Sequence, residues 1–173
     1  MSDLNQDPII NAIKNGIKDD IDYNWKDGRH RATLLLMFAT IDAMAFLNMP
    51  ASQSDVSATD FIDWIDKYLR FTSCQTQLTG IDLYGARRGI LNTYSLHSIQ
   101  PKMSRDVLYL IDSPGDPVRE NGDPKQVVVS IAGLKTALFT AIDRFLIDVF
   151  TSPDRAKVAA KRLPKLMIAY DCT

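Results

Sequence analysis

The residue types best suited to chemistry are concentrated in one stretch of the chain, IDLYGARRGILNTYS. Two adjacent arginines, Arg87 and Arg88, are followed by Asn92 and then by the polar pair Thr93 and Tyr94. A guanidinium group donates paired hydrogen bonds to phosphate oxygens, and a tyrosine ring stacks on a nucleobase. The residue types in this stretch therefore suit a contact with a phosphate or with nucleic acid.

The spacing of these residues limits which of them act together. Arg88 and Asn92 are four positions apart and share one face of a helix, whereas Arg87 and Asn92 are five apart, about 140° round an ideal helix. Arg87 and Asn92 converge only if the helix ends or distorts between them, for example at Gly89. The structural alternative is an arginine that pairs with Asp42 or Asp82, and local physics favours that role.

Asp42 is the second unusual residue, because it lies near the centre of the apolar run ATLLLMFATIDAMAFLNM. A carboxylate among apolar side chains is costly to bury unless it is paired or hydrogen-bonded. Two interpretations remain open: Asp42 lies on the one hydrated side of a helix, or it is the partner of a buried arginine in a cleft.

Other catalytic and ligand-binding motifs are missing from the sequence. It has no glycine-rich phosphate loop and no Gly-x-Ser-x-Gly turn, and its two histidines, His30 and His97, are far apart. The two cysteines, Cys74 and Cys172, have no zinc-ligand spacing. We therefore expect no metal and no cofactor, and reduced thiols in a cytoplasmic protein, since no signal peptide is recognisable.

The periodicity of apolar residues predicts a mainly α fold in a single domain over residues 1–173. The apolar run around Asp42 approaches membrane-spanning length, but its central carboxylate and the absence of a second span favour a buried central helix and no membrane. Two β-rich runs flank a stretch rich in proline and glycine, which predicts a β-hairpin insertion at about 105–131 with a long tip over 112–125. The predicted helices cover about 4–21, 29–48, 57–69, 80–91, 132–151 and the residues after Ser152-Pro153.

Charge is distributed unevenly along a chain whose formal net charge is only -1. Residues 1–66 hold eleven acids and five bases, and residues 67–173 hold ten acids and fifteen bases. Five of those bases lie within eleven residues near the C-terminus: Arg155, Lys157, Lys161, Arg162 and Lys165. This balance excludes a strongly basic nucleic-acid binder, and leaves open an anionic partner, a second copy of the chain or a solvated surface.

The order of the elements resembles that of small bacterial proteins in the HEPN superfamily of helical domains. The resemblance covers roughly residues 30–105: an apolar helix with a central Ile-Asp, then FIDWIDKYL, then DLYGAR followed by LNTYS. It implies a HEPN-like helical bundle whose copies dimerise across a shared cleft. Active members are metal-independent ribonucleases, and many belong to toxin–antitoxin or phage-defence systems.

The defining motif of that superfamily is an arginine followed, after four to six residues, by a histidine. Arg87 occupies the arginine position, but the histidine position holds Asn92. An amide does not titrate near neutral pH, and loss of general acid–base help costs about 10²–10⁴ in rate. His97 is ten positions after Arg87, beyond the motif spacing, and is the one histidine available as a substitute.

The resemblance leads to three alternative functions. The first is a cytoplasmic homodimer that binds RNA or an antitoxin-type protein partner and is impaired as a nuclease. There Arg87 holds a phosphate, Asn92 positions an oxygen, and Arg88, Thr93, Tyr94 and His97 add contacts. The second is an active metal-independent ribonuclease in which Asn92 or His97 suffices. The third is a structural helical dimer in which Arg87 forms a buried ion pair with Asp42.

Overall fold

The structure is a computed structural model, and it describes residues 7–71, 76–93, 105–112, 116–120 and 122–166. It is mainly helical with one small sheet, as the sequence predicts. The elements are α1 (Pro8–Ala12), a π-helical segment (Ile13–Lys18), α2 (Asp19–Lys26), α3 (His30–Asn48), α4 (Ala58–Tyr68), α5 (Gly80–Thr93), β1 (Asp106–Leu110), β2 (Val118–Glu120), β3 (Gln126–Ser130), α6 (Ile131–Phe150) and α7 (Pro153–Leu166).

Helix α3 lies at the centre of the fold. It packs against α2, α4, α5, α6 and α7, which explains why it is apolar on nearly every side. In the described part of the chain it is the one helix with the length and hydropathy of a membrane span, and half of that span is buried inside the fold. It ends before Pro50, as predicted.

The sheet differs from the predicted two-stranded hairpin. The two β-rich runs form β1 and β3, but these strands pair in parallel, with Val107 opposite Val127. The antiparallel partner of β3 is β2, a three-residue strand inside the predicted tip, so the strand order is β1-β3-β2. The hairpin prediction was therefore wrong for β1, because a short strand in the proline-rich connection takes the antiparallel edge of β3. Residues 113–115 and 121 of the tip lie outside the described residues.

Helices α4 and α5 determine where Arg87 lies. Ser57 and Asp60 cap the start of α4: the Ser57 hydroxyl accepts from the Asp60 backbone N–H, and the Asp60 carboxylate accepts from the Ser57 backbone N–H. At the start of α5, Gly80 lies so close to α4 that a Cβ atom there would be 2.5 Å from the Ile62 carbonyl oxygen. The Gly80 N–H donates to Asp66 Oδ1 at 2.6 Å. Close backbone packing therefore fixes the position of α5 on α4.

Candidate functional site

Arg87 is held by contacts from three helices. Its Nε atom donates to Asp42 Oδ2 at 2.8 Å, which joins α5 to α3. The guanidinium carbon lies 5.5 Å from the ring centre of Phe61 on α4 and 5.9 Å from that of Tyr84 on α5. The two rings pack edge to face, with their centres 5.8 Å apart. Carboxylate and rings together hold the guanidinium group in one orientation.

The Asp42–Arg87 pair is partly exposed and not fully buried. The side chain of Arg87 is 27% exposed and that of Asp42 is 29% exposed. Among the described residues, none accepts a hydrogen bond from Nη1 or Nη2 of Arg87. Burial raises the pKa of the Asp42 carboxyl, and the hydrogen bond and charge of Arg87 only partly offset that rise. Within the described part of the chain, Nη1 and Nη2 of Arg87 therefore remain available as donors, beside a carboxylate that neutralises part of its charge.

Asn92 lies on a different side of α5 from Arg87. Helix α5 runs from Gly80 to Thr93 and includes Gly89, so the distortion that would bring Asn92 towards Arg87 does not occur. Asn92 is exposed, and Arg88 is partly exposed one turn before it on the same face. Of Thr93 only the backbone is described, at the end of α5. Within one copy of the chain, Arg87 and Asn92 therefore present their side chains to different sides of the helix.

Several sequence candidates lie elsewhere or outside the described residues. Tyr94 and His97 lie outside them, as do Cys74 and Cys172. His30 is at the start of α3, where its ring centre lies 4.8 Å from that of Trp25, and its buried Nδ1 atom has no hydrogen-bond partner among the described residues. The described residues contain no group of three or more His, Cys, Asp or Glu side chains placed to hold a metal ion.

The second possible partner of Arg87, Asp82, is already occupied. Its side chain is only 3% exposed and accepts from Arg105 Nη2 at 2.6 Å and from the Arg105 backbone N–H at 2.8 Å. It also accepts from the Thr79 N–H at 3.0 Å, which caps α5. These hydrogen bonds outweigh the cost of burial and lower the pKa of Asp82. The carboxylate that pairs with Arg87 is therefore that of Asp42.

The basic residues of α7 divide into two groups. Two of them bind other parts of the fold. Arg155 binds Asn48 and Asp148. Arg162 is 7% exposed and donates to backbone carbonyls at the end of α3 and in the loop that follows. The other three are exposed, and none has an ion-pair partner among the described residues. We call Lys157, Lys161 and Lys165 the α7 lysines. The role of Arg162 has no signal in the sequence, because its acceptors are more than a hundred positions away.

Arg155 belongs to a polar cluster centred on Asp148 of α6. Asp148 Oδ2 accepts from Lys67 Nζ at 2.7 Å and from the Tyr68 hydroxyl, and it forms an ion pair with Arg155 Nη1 at 2.8 Å. These contacts lower the pKa of the Asp148 carboxyl. The cluster joins α4, α6 and α7, and its donors are directed at the carboxylate, so its role is structural.

Comparison with known proteins adds no family assignment. No protein-family model, no curated protein and no solved structure matches this chain.

Proposed function

We propose that this chain is a HEPN-like helical domain that binds RNA through Arg87 and has little or no nuclease activity. The observation that supports the proposal is the environment of the Arg87 side chain. Asp42 binds Nε, Phe61 and Tyr84 flank the guanidinium group, and Nη1 and Nη2 have no acceptor among the described residues. An arginine held in this way presents two parallel donors that match two oxygens of a phosphate.

The weak nuclease activity follows from Asn92. Its amide neither accepts nor releases a proton near neutral pH, so it cannot act as general acid or base. The exposed position of Asn92, about 140° from Arg87 on α5, also prevents the two from acting on one phosphate within a single copy. The proposal includes a cytoplasmic homodimer in which two α5 helices face each other. Leu91, which is 41% exposed on α5, offers an apolar contact to the second copy.

The test combines RNA binding and RNA cleavage in EDTA. We expect the wild type to bind a mixed-sequence RNA without cleaving it, and Arg87→Ala to bind it about 10–100-fold more weakly, the loss expected for a charged hydrogen-bonded contact. Arg31→Ala is the matched control, because Arg31 is exposed on α3 without a described partner. Asn92→His tests whether a titratable group restores cleavage.

Two outcomes would contradict the proposal. Equal RNA affinity of Arg87→Ala and Arg31→Ala would show that Arg87 binds no phosphate. Cleavage by the wild type in EDTA, abolished by Arg87→Ala, would instead favour the alternative of an active metal-independent ribonuclease.

A structural role for Arg87 is the second candidate, and the 2.8 Å contact that joins α5 to α3 favours it. Loss of a fully buried pair costs about 3–5 kcal/mol, whereas exposed pairs contribute about 0–1 kcal/mol. Since both side chains are more than a quarter exposed, Arg87→Ala should lower the free energy of unfolding by about 1–2 kcal/mol. Under this alternative, that loss of stability occurs without any change in RNA affinity.

A further inference from the structure

A second candidate site lies between the end of α3 and the last turns of α7. A cavity of about 280 Å³ opens there, and its lining includes Phe46, Ser52, Ser54, Lys161, Arg162 and Lys165. Nothing in the Arg87 site uses these residues. The cavity combines positive charge, two hydroxyl groups and one aromatic ring.

The positive charge of this cavity has no acidic counterpart in its lining. Lys161 and Lys165 are exposed, about 6 Å apart along the helix axis, and the stretch KVAAKRLPK around them contains no acid. Arg162 donates to the carbonyl groups of Phe46, Met49, Pro50 and Gln53, and to no carboxylate among the described residues. The negative end of the α3 dipole, about half a charge, offsets only part of the three positive charges.

Helix α3 connects this cavity to the Arg87 site. Asp42, which holds Arg87, and Phe46, whose ring centre is 5.5 Å from the guanidinium carbon of Arg162, are four positions apart on α3. Residues at this spacing lie on the same face of a helix, one turn apart. The two cationic sites therefore follow each other along one side of α3.

We propose that the RNA strand bound at Arg87 continues along α3 into this cavity, where Lys161 and Lys165 bind its phosphates. This inference rests on the proposed function, since it extends the same strand. A basic groove with an aromatic side chain is typical of sites that bind single-stranded nucleic acid. The guanidinium group of Arg87, whose partner Asp42 lies one turn before Phe46 on α3, favours a phosphodiester over an acidic peptide.

The test measures the affinity of a single-stranded octaribonucleotide and of a dinucleotide by fluorescence anisotropy at several salt concentrations. The variant Lys161→Gln/Lys165→Gln removes two phosphate contacts, so the slope of log K against log salt should become shallower by about 1.4. If the electrostatic contribution vanishes at 1 M salt, the octanucleotide should bind about 25-fold more weakly at 0.1 M. The dinucleotide, held at Arg87, should keep its affinity.

The matched control is Lys26→Gln/Lys125→Gln, which makes the same change in net charge with exposed lysines of other elements. If Lys161→Gln/Lys165→Gln binds the octanucleotide as tightly as the control does, while Arg87→Ala binds it more weakly, RNA binding in the cavity is refuted and the proposed function remains. The reverse pattern would refute Arg87 as the phosphate site and retain the cavity. Absence of RNA binding by the wild type, or tighter lysine-dependent binding of a polyglutamate peptide, would overturn the inference.

Discussion

Replacing Asp42 by asparagine should separate the two roles of Arg87. The amide oxygen of asparagine can still accept the Nε hydrogen bond, which is 2.8 Å long in the wild type, so the guanidinium group keeps its orientation. The negative charge beside it is removed. If Arg87 binds a phosphate, Asp42→Asn should therefore strengthen RNA binding, whereas Arg87→Ala should weaken it.

The size of the effect follows from the distance between the two anions. A phosphate oxygen that accepts from the Nη atoms lies roughly 6 Å from the Asp42 carboxylate, given ordinary hydrogen-bond lengths. At effective dielectric constants between about 20 and 80, the repulsion at that distance is about 0.7–2.8 kcal/mol. Because both side chains are partly exposed and salt screens them, we take about 1 kcal/mol, which corresponds to roughly fivefold tighter binding.

The pH dependence of RNA binding provides a second measurement. Burial raises the pKa of Asp42, so its carboxyl takes up a proton at a higher pH than an ordinary aspartate does. Wild-type affinity should therefore rise as the pH falls towards that pKa, and Asp42→Asn should lack this rise. Because the pKa of Asp42 is raised in the folded protein, the contribution of this carboxyl to the free energy of unfolding falls as the pH rises through that pKa. Asp42→Asn should therefore cost little stability at neutral pH.

Asp19→Asn is the matched control, since Asp19 is exposed on α2 and its replacement changes the net charge equally. Fluorescence anisotropy with one RNA, at one salt concentration, compares Asp42→Asn, Asp19→Asn and Arg87→Ala with the wild type. Binding by Asp42→Asn that is as weak as binding by Arg87→Ala, or equal to that of Asp19→Asn, would refute phosphate binding at Arg87.

Three further predictions concern the framework of the site. Arg105→Ala leaves Asp82 buried without its counterion and should lower the free energy of unfolding in urea by about 3–5 kcal/mol; an unchanged urea midpoint would exclude a role for this pair. Asp148→Asn should cost about 1–2 kcal/mol at neutral pH, a value discounted because the carboxylate is 36% exposed. Since the folded-state pKa of Asp148 is lowered, that cost should shrink as the pH falls below about 4. A difference in Tm between Asp148→Asn and wild type that stays constant with pH would contradict a stabilising role of the ionised carboxylate. Gly80→Ala places a Cβ atom against the Ile62 carbonyl, so it should lower the free energy of unfolding, measured in urea, by about 1–3 kcal/mol and weaken RNA binding by displacing α5. An unchanged free energy of unfolding would show that close packing at Gly80 does not fix α5 on α4.

The helices could be predicted from the sequence because their signals are local. The apolar stripe of α6 and the capping pair Ser57 and Asp60 depend only on residues a few positions apart. The strand pairing could not be predicted, since β1 and β3 are similar apolar runs that fit either direction. What decides it is β2, whose three residues from Val118 to Glu120 are too few to stand out among prolines and glycines.

The candidate site was predictable in its residue types and not in its pairings. The sequence singles out Arg87 as a candidate ligand-binding or ion-paired arginine and offers Asp42 and Asp82 as partners, but it does not decide between them. That choice depends on Arg105, which follows Asp82 by twenty-three positions and approaches it only when β1 packs beside α5. Tertiary contacts of this kind leave no periodic signal in the sequence.

The uneven charge of the chain acquires a physical meaning in the folded structure. The ion pairs Arg87–Asp42 and Lys135–Asp22 each join a base of the second part of the chain to an acid of the first. These two pairs bring together charges that are far apart along the sequence. The α7 lysines have no such partner among the described residues, and two of them, Lys161 and Lys165, line the cavity. Affinity for an anion at the cavity should therefore depend on these two lysines, although the whole chain carries a net charge of only -1.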